Sequence, residues 1–445
     1  MNFTIKKGLD IPISGEPVQT IQPGNPVTEI GLLGFDYVGL KPSMAVKVGE
    51  QVTAGQLLFT DKKNPGVKFT APIGGTISAI NRGPRRRFES IVIRVAGNER
   101  LSFQTTELTP VAIKATLIES GQWTALRTRP YGKVPTLESS PSSLFITAMD
   151  TQPLAADPAV VINQYLDDFI LGVKILQNLA PKTFLCTKAG QKIPTDDLPG
   201  IIVARFAGPH PAGLASTHIH FLDPVRPGKE VWQIDYQEVI AIGHLFGTGY
   251  LQSERVVALT GPAMKKPRLI KTLAGASITE LAANEINDPG CRLLAGSVLS
   301  GHRLGEGGVH GFLGRHQHQV CALTEGDGSG FLNWLRPGGE RFSTLPLFIS
   351  TLLKKSGAKM AMNTAAWGGK RAIFPLGTYE KVMPLNLIAT SLLKSIATGN
   401  TEKAAALGCL ELVEEDLALC SFVCPGKNNF GPMLREVLTR IEEDG

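Results

Sequence analysis

The stretch between residues 143 and 173 limits the fold of this chain more than any other. Residues 143–149, SLFITAM, form a short apolar run behind a Ser/Pro cluster, which predicts a buried strand. Asp157 then stands where an N-cap is expected, and Pro158 occupies the first helical position, where its missing N–H costs nothing. Apolar residues recur with helical spacing up to Val173. A strand that runs through a tight loop into a helix is one unit of a nucleotide-binding sheet, so the stretch predicts an α/β domain.

The loop before this strand has the wrong chemistry for a nucleotide-binding fold. Residues 126–135, LRTRPYGKVP, contain one glycine, Gly132. A phosphate cradle needs several glycines, because Cβ atoms keep the backbone N–H groups away from the phosphate oxygens. Arg127, Arg129 and Lys133 can still attract an anion, so phosphate binding is disfavoured rather than excluded. The architecture therefore predicts a cofactor fold, whereas the loop argues against a bound cofactor.

The composition is that of a globular protein with a sizeable core. A chain of 445 residues has room for about three domains, and 43% of its residues are hydrophobic. No apolar run approaches the roughly 18 residues of a membrane span, and the N-terminal residues show no signal peptide. Six cysteines without an export signal predict reduced thiols in the cytoplasm. The net charge of +6 predicts a mildly basic surface, either simply solvated or attracted to an anionic membrane or an acidic partner.

Residues 41–95 show short alternating strands separated by glycine turns. VKVGEQVTAGQLLFTDKK followed by APIGGTISAI resembles the biotinyl/lipoyl-carrier fold, a small flattened barrel with Gly49 and Gly55 at its hairpins. Lys62 and Lys63 lie near the lysine that true carriers acylate, but NPGVKF intervenes, so an unmodified structural domain is the favoured interpretation. The side chains predicted to be buried are Val46, Val48, Val52, Leu57, Leu58 and Ile77.

Two further features of this N-terminal region each have two interpretations. The largely uncharged run 30–40 is either a buried strand with its turn or an apolar lip for a hydrophobic ligand. Arg85, Arg86 and Arg87 form a basic hairpin tip, which is either solvated or in contact with a partner or a phospholipid.

Histidines recur in pairs that invite a metal interpretation. His218 and His220, at positions i and i+2, would share one face of a strand, but no third ligand has sensible spacing. Residues 301–330 contain four more: His302, His310, His316 and His318. Their short alternation before residues 320–323 fits a hairpin that enters a strand. The sequence therefore predicts no metal site.

The remaining elements follow in a recognisable order. Residues 182–187 and 201–206 are predicted strands, and a helix is predicted from Tyr236. Between residues 255 and 298 the pattern predicts strand, hairpin, strand, short helix and strand, the order of a β-grasp, ubiquitin-like domain. The C-terminal part is predicted to be helical over 346–354, 384–397, 401–407, 414–420 and 432–443.

Three cysteines stand before the last helix. Cys420 and Cys424 form a C-x3-C-P ending that is typical of one side of an iron–sulfur motif, with Cys409 upstream. A four-iron cluster needs four thiolates, and the C-x2-C half is missing because position 417 is Leu and position 414 is Glu. We therefore predict that no cluster is bound.

These pieces, in this order, resemble one family. The carrier-like barrel, SSLFITAMDTQPLAADP, ERVVALTGPAMKKPRLIKTLAGASITEL and LALCSFVCPGKNNFGPMLRE are similar to the NqrA family of the sodium-translocating NADH:quinone oxidoreductase, over essentially the whole chain. More distantly, the layout resembles the RnfC component of electron-transport complexes and the flavin-bearing, NADH-oxidising component of respiratory complex I. Those relatives have a glycine-rich flavin loop, an acidic turn and a cysteine quartet, whereas this chain has ALRTRPYGKVPTL, TAMDTQP and a remnant.

The resemblance implies a peripheral subunit on the cytoplasmic side of the bacterial inner membrane. It would belong to a six-subunit pump that passes electrons from NADH to ubiquinone and drives sodium outward. Flavins and iron–sulfur clusters would sit in the five partner subunits, and this chain would carry no redox cofactor, no catalytic residue and no metal. Its partners would be those subunits, especially the membrane subunits, and ubiquinone, with no nucleic acid.

Two roles for such a subunit stay open, with a lone flavoprotein dehydrogenase as a weaker third. In the first it contributes to the quinone site, which needs apolar and aromatic walls and a donor to the quinone carbonyls. In the second it is a scaffold that docks the membrane subunits. The predicted quinone-site residues are Leu32, Phe35, Tyr37, Leu40, Tyr131, Lys133 (the donor) and Val134.

The predicted fold class is thus a multidomain chain of mixed α/β and α+β type. Four domains are expected: an N-terminal region with a carrier-like β barrel-sandwich over 1–100, a Rossmann-like α/β domain without a flavin loop over 101–254, a β-grasp domain over 255–330, and a mostly helical C-terminal domain with the vestigial cysteine motif over 331–445.

Overall fold

The first 23 residues of the chain are distributed between two sheets that are built mainly from later residues. The computed structural model describes residues 1–191, 193, 194, 198–326, 342–344, 358–366 and 368–444. Strand β1, Asn2–Thr4, pairs in parallel with residues 205–207, and strand β2, Val18–Pro23, pairs in parallel with residues 268–271. These two sheets belong to the second and third structural units described below. The N-terminal segment therefore links those two units before the first unit begins at Glu29.

The first unit is a sandwich of two small antiparallel sheets. Its strands are β3 Glu29–Leu33, β4 Pro42–Met44, β5 Gln51–Val52, β6 Leu57–Asp61, β7 Lys68–Thr70, β8 Gly75–Arg82 and β9 Phe88–Val95. One sheet has the order β3-β9-β8-β5 and the other β4-β6-β7. The ring of Phe59 on β6 meets that of Phe88 on β9 at 5.2 Å, so the two sheets pack face to face. The predicted barrel-sandwich is confirmed.

Most of the predicted barrel core is buried. Val46, Val52, Leu58 and Ile77 are each 5% exposed or less. The prediction for Val48 is wrong: it is 60% exposed, because it directly precedes the Gly49 turn and points outward there. Gly49 and Gly55 have φ near +90°, a backbone conformation that favours glycine, as expected at tight hairpins.

The second unit is a six-stranded, mostly parallel sheet with helices. Its elements are α1 Pro110–Glu119, β10 Arg127–Arg129, β11 Leu144–Ala148, α2 Pro158–Gln164, α3 Leu166–Leu176, β12 Thr183–Lys188, β13 Ile201–Ala207, α4 Ala215–Leu222, β14 Val231–Asp235 and α5 Tyr236–Thr248. The strand order is β1-β13-β12-β11-β14-β10, with only β10 antiparallel to its neighbour. The strands predicted at 143–149, 182–187 and 201–206 are confirmed.

The helix after the first of these strands begins as predicted but is broken. The Asp157 carboxylate accepts the Ala159 N–H at 3.0 Å, and Pro158 opens the helix. The prediction of one continuous helix to Val173 is wrong, because Tyr165 has φ −128° and ψ 43° and separates α2 from α3. Its hydroxyl bonds Glu254 of the next unit, so a contact outside the helix accompanies the break.

The third unit is a mixed sheet with one short helix packed against it. Its elements are β15 Glu254–Thr260, β16 Arg268–Leu273, α6 Ile278–Leu281, β17 Arg292–Ala295, β18 His302–Arg303 and β19 Gln319–Leu323. The order is β18-β17-β19-β15-β16-β2, with β19 parallel to β15. The predicted sequence of elements between residues 255 and 298 is confirmed, and so is the strand that follows the histidine-rich loop.

The C-terminal region contains α7 Thr378–Val382, α8 Ala389–Ala397, α9 Thr401–Ala406, α10 Ala418–Val423 and α11 Phe430–Asp444. The helix predicted at 346–354 lies outside the described residues, and the one predicted at 384–397 begins only at Ala389. The prediction at 414–420 is partly wrong, because residues 414–417 form a 3-10 turn before α10. Among the described residues, no helix combines the length and apolar composition that crossing a bilayer requires.

Candidate functional site

A cleft opens where the three β-containing units meet. Its empty volume is about 820 Å³, including the space open to solvent at its mouth. The first unit contributes Leu32, Tyr37 and Phe69, the second Gln122, Thr124 and Glu238, and the third Arg255, Leu273, Leu313, Arg315 and Gln317. Clefts between domains are frequent ligand sites, because each unit supplies one wall.

Arg315 connects all three units at this cleft. Its backbone N–H donates to Asp36 at 2.9 Å, and its guanidinium donates to Thr124 at 2.7 Å, to Gln122 Oε1 at 2.9 Å and to Glu238 at 2.8 Å. The Arg315 Nε–H is buried and has no partner among the described residues. A planar guanidinium with several donors suits such a junction better than a lysine ammonium.

The cleft carries balanced charge on its polar side. The side chain of Glu238 is 1% exposed and lies between Arg315 and Arg255, whose guanidinium is 3.3 Å away. Burial alone would raise the pKa of Glu238, but the two guanidiniums outweigh burial and hold it below its ordinary value. Burial raises the pKa of Asp36 and of Tyr37. Two cations beside one buried carboxylate and Asp36 leave little net charge, which favours an uncharged ligand.

Two hydrogen-bond donors on the apolar walls of the cleft, the Gln122 amide and the Tyr37 hydroxyl, are available to a ligand. Because Gln122 Oε1 accepts from Arg315, its amide nitrogen is turned away from that arginine, and it has no hydrogen-bond partner among the described residues. The Tyr37 hydroxyl lies beside the Arg315 guanidinium, and its ring meets Phe69 edge-on at 4.8 Å. The cleft can therefore take a flat, uncharged ring that presents carbonyl acceptors.

Only some of the predicted quinone-site residues lie in the cleft. Leu32 and Tyr37 line the cleft. Phe35 is 46% exposed and lies outside it, with its ring edge-on to His302 and His310. Leu40 is partly buried and packs against a core that all three β-containing units share.

The other three predicted residues belong to the loop before β11. Val134 packs against the same core as Leu40. The Lys133 side chain passes Gly39, where a Cβ would be 3.5 Å from its Cε and Nζ, and ends on Glu442 at 2.6 Å. The Tyr131 carbonyl accepts from Arg435 at 2.7 Å. The two predicted segments, near residues 39 and 133, are thus neighbours in space.

This loop is covered by C-terminal residues where a phosphate would otherwise approach. Arg129 is fully buried and donates to Ser216, which in turn donates to Asp416. Burial lowers the pKa of Arg129 to about 10, against the effect of Asp416. The Arg127 guanidinium lies 4.0 Å from Glu415. Each cation that the sequence offered for an anion therefore faces a carboxylate of residues 415–442.

The crevice beyond the carboxyl ends of β11 and β14 is also covered. His316 and His318 each lie 3.5 Å from Asp235 at the end of β14, and Gln319 donates to the Pro153 carbonyl at 3.2 Å. Open parallel sheets bind nucleotides in this crevice. Here residues 316–319 of the third unit occupy it.

The histidines that invited a metal interpretation instead form hydrogen bonds with other protein groups. His218 and His220 lie on α4, not on a strand, so their side chains point in nearly opposite directions. His218 bonds the Ala212 carbonyl at 3.1 Å, and His220 bonds Glu411 at 2.8 Å. His302 bonds the His310 carbonyl at 3.0 Å. In the described ranges, no group of three or more His, Cys, Asp or Glu is arranged to hold a metal ion.

The three C-terminal cysteines lie in the interior. Cys409, Cys420 and Cys424 are free thiols, each 1% exposed or less. Burial raises the pKa of Cys409 and Cys420 to about 12. The Tyr379 hydroxyl lies 3.1 Å from Cys424 Sγ and helps lower its pKa against the effect of burial. The three cysteine side chains are part of the hydrophobic core of the C-terminal helical region.

Sequence reasoning missed the main polar residues of the cleft. Gln122 and Thr124 stood unremarked, Glu238 was part of a predicted helix, and Arg315 stood within HGFLGRHQHQV, which drew attention only for its histidines. Residues 302–318 contain two arginines, Arg303 and Arg315, among four histidines and several glycines, and no local pattern distinguishes Arg315 from Arg303. The partners of Arg315 are 77 to 279 residues away, beyond the reach of any local pattern.

Comparison with known proteins follows the three units. Family models match residues 3–96 (NqrA N-terminal barrel-sandwich hybrid domain), 108–251 (NqrA second alpha/beta domain) and 256–305 (NQRA C-terminal domain). The corresponding component of the Na(+)-translocating NADH-quinone reductase from Pasteurella multocida (strain Pm70) is 51% identical, with 100% of both chains covered. That of Pseudomonas aeruginosa (strain UCBPP-PA14) is 52% identical, with 99% of both covered.

Among solved structures, an NAD+-reducing [NiFe]-hydrogenase in the H2-reduced state aligns over 48% of this chain and 47% of its own, with a TM-score of 0.37 and 14% identity. A likeness this weak supports no conclusion. The identity to the two relatives above, over the full length of the chain, does show the family. The chain belongs to the NqrA family, whose members are a subunit of the Na(+)-translocating NADH-quinone reductase.

Proposed function

We propose that this chain is the peripheral NqrA component of a complex that oxidises NADH, reduces ubiquinone and exports Na+. Relatives that carry the name of this component match it over its full length, which supports the assignment. The complex would have five other subunits, and this one would lie on the cytoplasmic side of the membrane and contact the membrane subunits. The enzyme activity would belong to the complex.

The subunit's own contribution is to bind the quinone headgroup in the cleft between the three units. The observation that carries this proposal is the pair of donors, the Gln122 amide and the Tyr37 hydroxyl, on a wall with Leu32, Phe69 and little net charge. A quinone ring needs a flat apolar slot and one donor for a carbonyl. Of the residues expected from the sequence, Leu32 and Tyr37 belong to this site, whereas residues 131–134 are not part of the cleft lining.

The chain carries no flavin and no iron–sulfur cluster of its own. The proposal is supported by the loop at 127–133, whose cations face Glu415, Asp416 and Glu442, and by residues 316–319, which fill the crevice of the parallel sheet. A flavin phosphate would have to displace both. The absorbance spectrum of the purified subunit tests this, and a yellow protein with stoichiometric flavin would refute it.

We also propose that the second unit is a Rossmann-like domain and the third a β-grasp domain. The parallel strands β13-β12-β11-β14 follow the third-second-first-fourth order of a mononucleotide-binding half, which supports a Rossmann-like domain over 101–254. The third unit, over 255–330, has its last strand beside its first and a helix after its hairpin, as expected for a β-grasp. The barrel lies within 1–100, and the helical region within 331–445.

Photo-crosslinking of the purified complex with a ubiquinone analogue tests the cleft. We expect labelled peptides that contain residues 31–37 or 313–317. Tyr37→Phe removes one donor and should weaken quinone binding about fivefold, the value of a typical hydrogen bond. Tyr131→Phe, the matched change outside the cleft, should leave binding unchanged. Labelling confined to other subunits would refute the proposal.

The second candidate function is a scaffold that stabilises the membrane subunits without touching quinone. Its docking surface would be the C-terminal helices, of which α11 is fixed to the second unit by Arg435, which bonds both Glu414 and the Tyr131 carbonyl. The cleft variant separates the two functions. If Tyr37→Phe leaves quinone affinity unchanged while variants of α11 abolish assembly, the scaffold function is correct.

A further inference from the structure

We propose that the arginine hairpin at residues 82–87, together with Phe35, docks the subunit on the phosphate headgroups of an anionic phospholipid surface. The juxtaposition that carries this is a run of exposed arginines beside an exposed aromatic ring. The proposal rests on the proposed function only in that a complex that translocates Na+ presents a membrane to its subunits.

The arginines of the hairpin are solvent-exposed and mostly unpaired. Arg82, Arg85, Arg86 and Arg87 are all exposed. Arg87 pairs with Glu89 at 3.0 Å, and Arg82 donates to the Arg86 carbonyl at 3.3 Å. The Arg85 and Arg86 side chains have no hydrogen-bond or carboxylate partner in the described part of the chain. Two free guanidiniums on adjacent residues attract phosphate groups strongly. Each guanidinium can bind a phosphate through two parallel N–H···O hydrogen bonds.

The backbone holds these side chains outward in an unusual conformation. Arg85 and Arg86 have φ of 54° and 61°, in the left-handed region that non-glycine residues seldom adopt. Cross-hairpin bonds fix the tip, from the Gly83 N–H to the Arg87 carbonyl at 2.8 Å and from the Arg86 N–H to the Gly83 carbonyl at 3.0 Å. Such strain concentrates at functional positions, since a glycine would be easier there.

Phe35 continues this surface through a chain of contacts. Its ring lies 4.6 Å from that of His302 and 5.4 Å from that of His310. His310 bonds Glu89 at 2.5 Å, and Glu89 in turn binds Arg87. Because Gly34 packs directly on Phe88 at the base of the hairpin, the exposed ring and the arginines belong to one face.

This combination fits a lipid surface better than an acidic protein. An exposed aromatic ring beside basic residues is the usual composition of an interfacial membrane contact, where the ring enters the headgroup region and the cations bind phosphates. Neither Phe35 nor any residue of 82–87 lines the cleft between the units.

Vesicle flotation with the purified full-length chain tests the proposal. The probes are vesicles of phosphatidylcholine alone and of phosphatidylcholine with one third phosphatidylglycerol. The chain should float only with the anionic vesicles and detach in 1 M salt, where charges are screened beyond about 3 Å. The double variant Arg85→Ala/Arg86→Ala should bind roughly 25-fold more weakly, about fivefold for each basic residue. Phe35→Ala should give a smaller loss, whose size does not change with salt over the range in which the chain still binds.

Lys62→Ala/Lys63→Ala is the matched control, because it removes two exposed cations from another hairpin of the same barrel. It should float like the unchanged chain. Equal loss in both double variants would show attraction by net charge alone and overturn the proposal. Binding to an acidic polypeptide without vesicle binding would also overturn it. Since the assay contains neither quinone nor NADH, its result does not depend on the cleft.

Discussion

The guanidinium of Arg315 lies 2.8 Å from the carboxylate of Glu238, across the boundary between the third and second units. Glu238 stands in the first turn of α5, next to the N-cap Asp235, whereas Arg315 lies in the long loop between β18 and β19. A buried carboxylate costs several kcal/mol to desolvate, and Arg255 and Arg315 offset that cost together. This ion pair therefore joins the second and third units at the cleft.

Removing Arg315 should destabilise the chain strongly. Arg315→Ala leaves Glu238 with Arg255 alone and three accepted hydrogen bonds unmade, so we expect the free energy of unfolding to fall by about 3 kcal/mol. Arg292→Ala, which breaks the surface pair with Glu325, should cost less than about 1 kcal/mol. Denaturant unfolding of both variants checks this. Equal effects would show that the buried pair contributes no more than a surface pair.

Gly275 tests how tightly the cleft wall is built. Its φ is +76°, and a Cβ there would lie 2.6 Å from the Gly31 carbonyl oxygen, whose residue bonds back to Gly275 at 2.8 Å. Gly275→Ala should lower the free energy of unfolding by more than about 2 kcal/mol, since backbone strain adds to the clash. Gly377→Ala, at φ +69° with open space around it, should show only the strain of about 1 kcal/mol. Thermal or denaturant unfolding distinguishes them.

His210 should make the stability of the chain depend on pH. It is 1% exposed, and burial lowers its pKa from 6.5 to about 4. The folded state therefore binds fewer protons than the unfolded state between these values, so stability is complete above pH 6.5 and falls as the pH drops towards 4. The loss attributable to this residue is about 3 kcal/mol.

The measurement is the free energy of unfolding of the chain and of His210→Asn at several pH values. The difference between the two should be constant above pH 7 and shift in favour of the variant as the pH approaches 4. Parallel pH profiles would contradict the prediction.

The Lys133–Glu442 pair should help hold α11 on the second unit. Both side chains are about 30% exposed, so the pair is worth at most about 1 kcal/mol. Lys133→Glu should speed amide hydrogen exchange in residues 430–444, because it places like charges together. The exchanged pair Lys133→Glu/Glu442→Lys should restore protection. If instead Lys133 donates to the quinone, the exchanged pair will restore protection but not quinone affinity.

Local structure was predictable where one short stretch determines it. The strand at residues 144–148, the Asp157 cap and the Gly49 turn each depend on neighbours in the chain. The break at Tyr165 was not, because its hydroxyl contacts Glu254, 89 residues later. The strand predicted for His218 and His220 was wrong because i, i+2 spacing alone does not distinguish a strand from a helix. In the structure both residues lie on α4, where His220 bonds Glu411 and His218 packs against Phe206.

The sequence by itself determined the order of the units, the scarcity of glycines in the loop at 126–135 and the family of the chain. Only the tertiary structure decided which residues cover that loop and where in the molecule a ligand can bind. The cleft takes Tyr37, Gln122, Glu238, Arg255 and Arg315 from segments far apart in the chain, and Lys133, expected as its donor, ends on Glu442. The physical reason is that charge pairing and burial act through space, so a side chain's partner is chosen by packing between units and not by its position in the sequence.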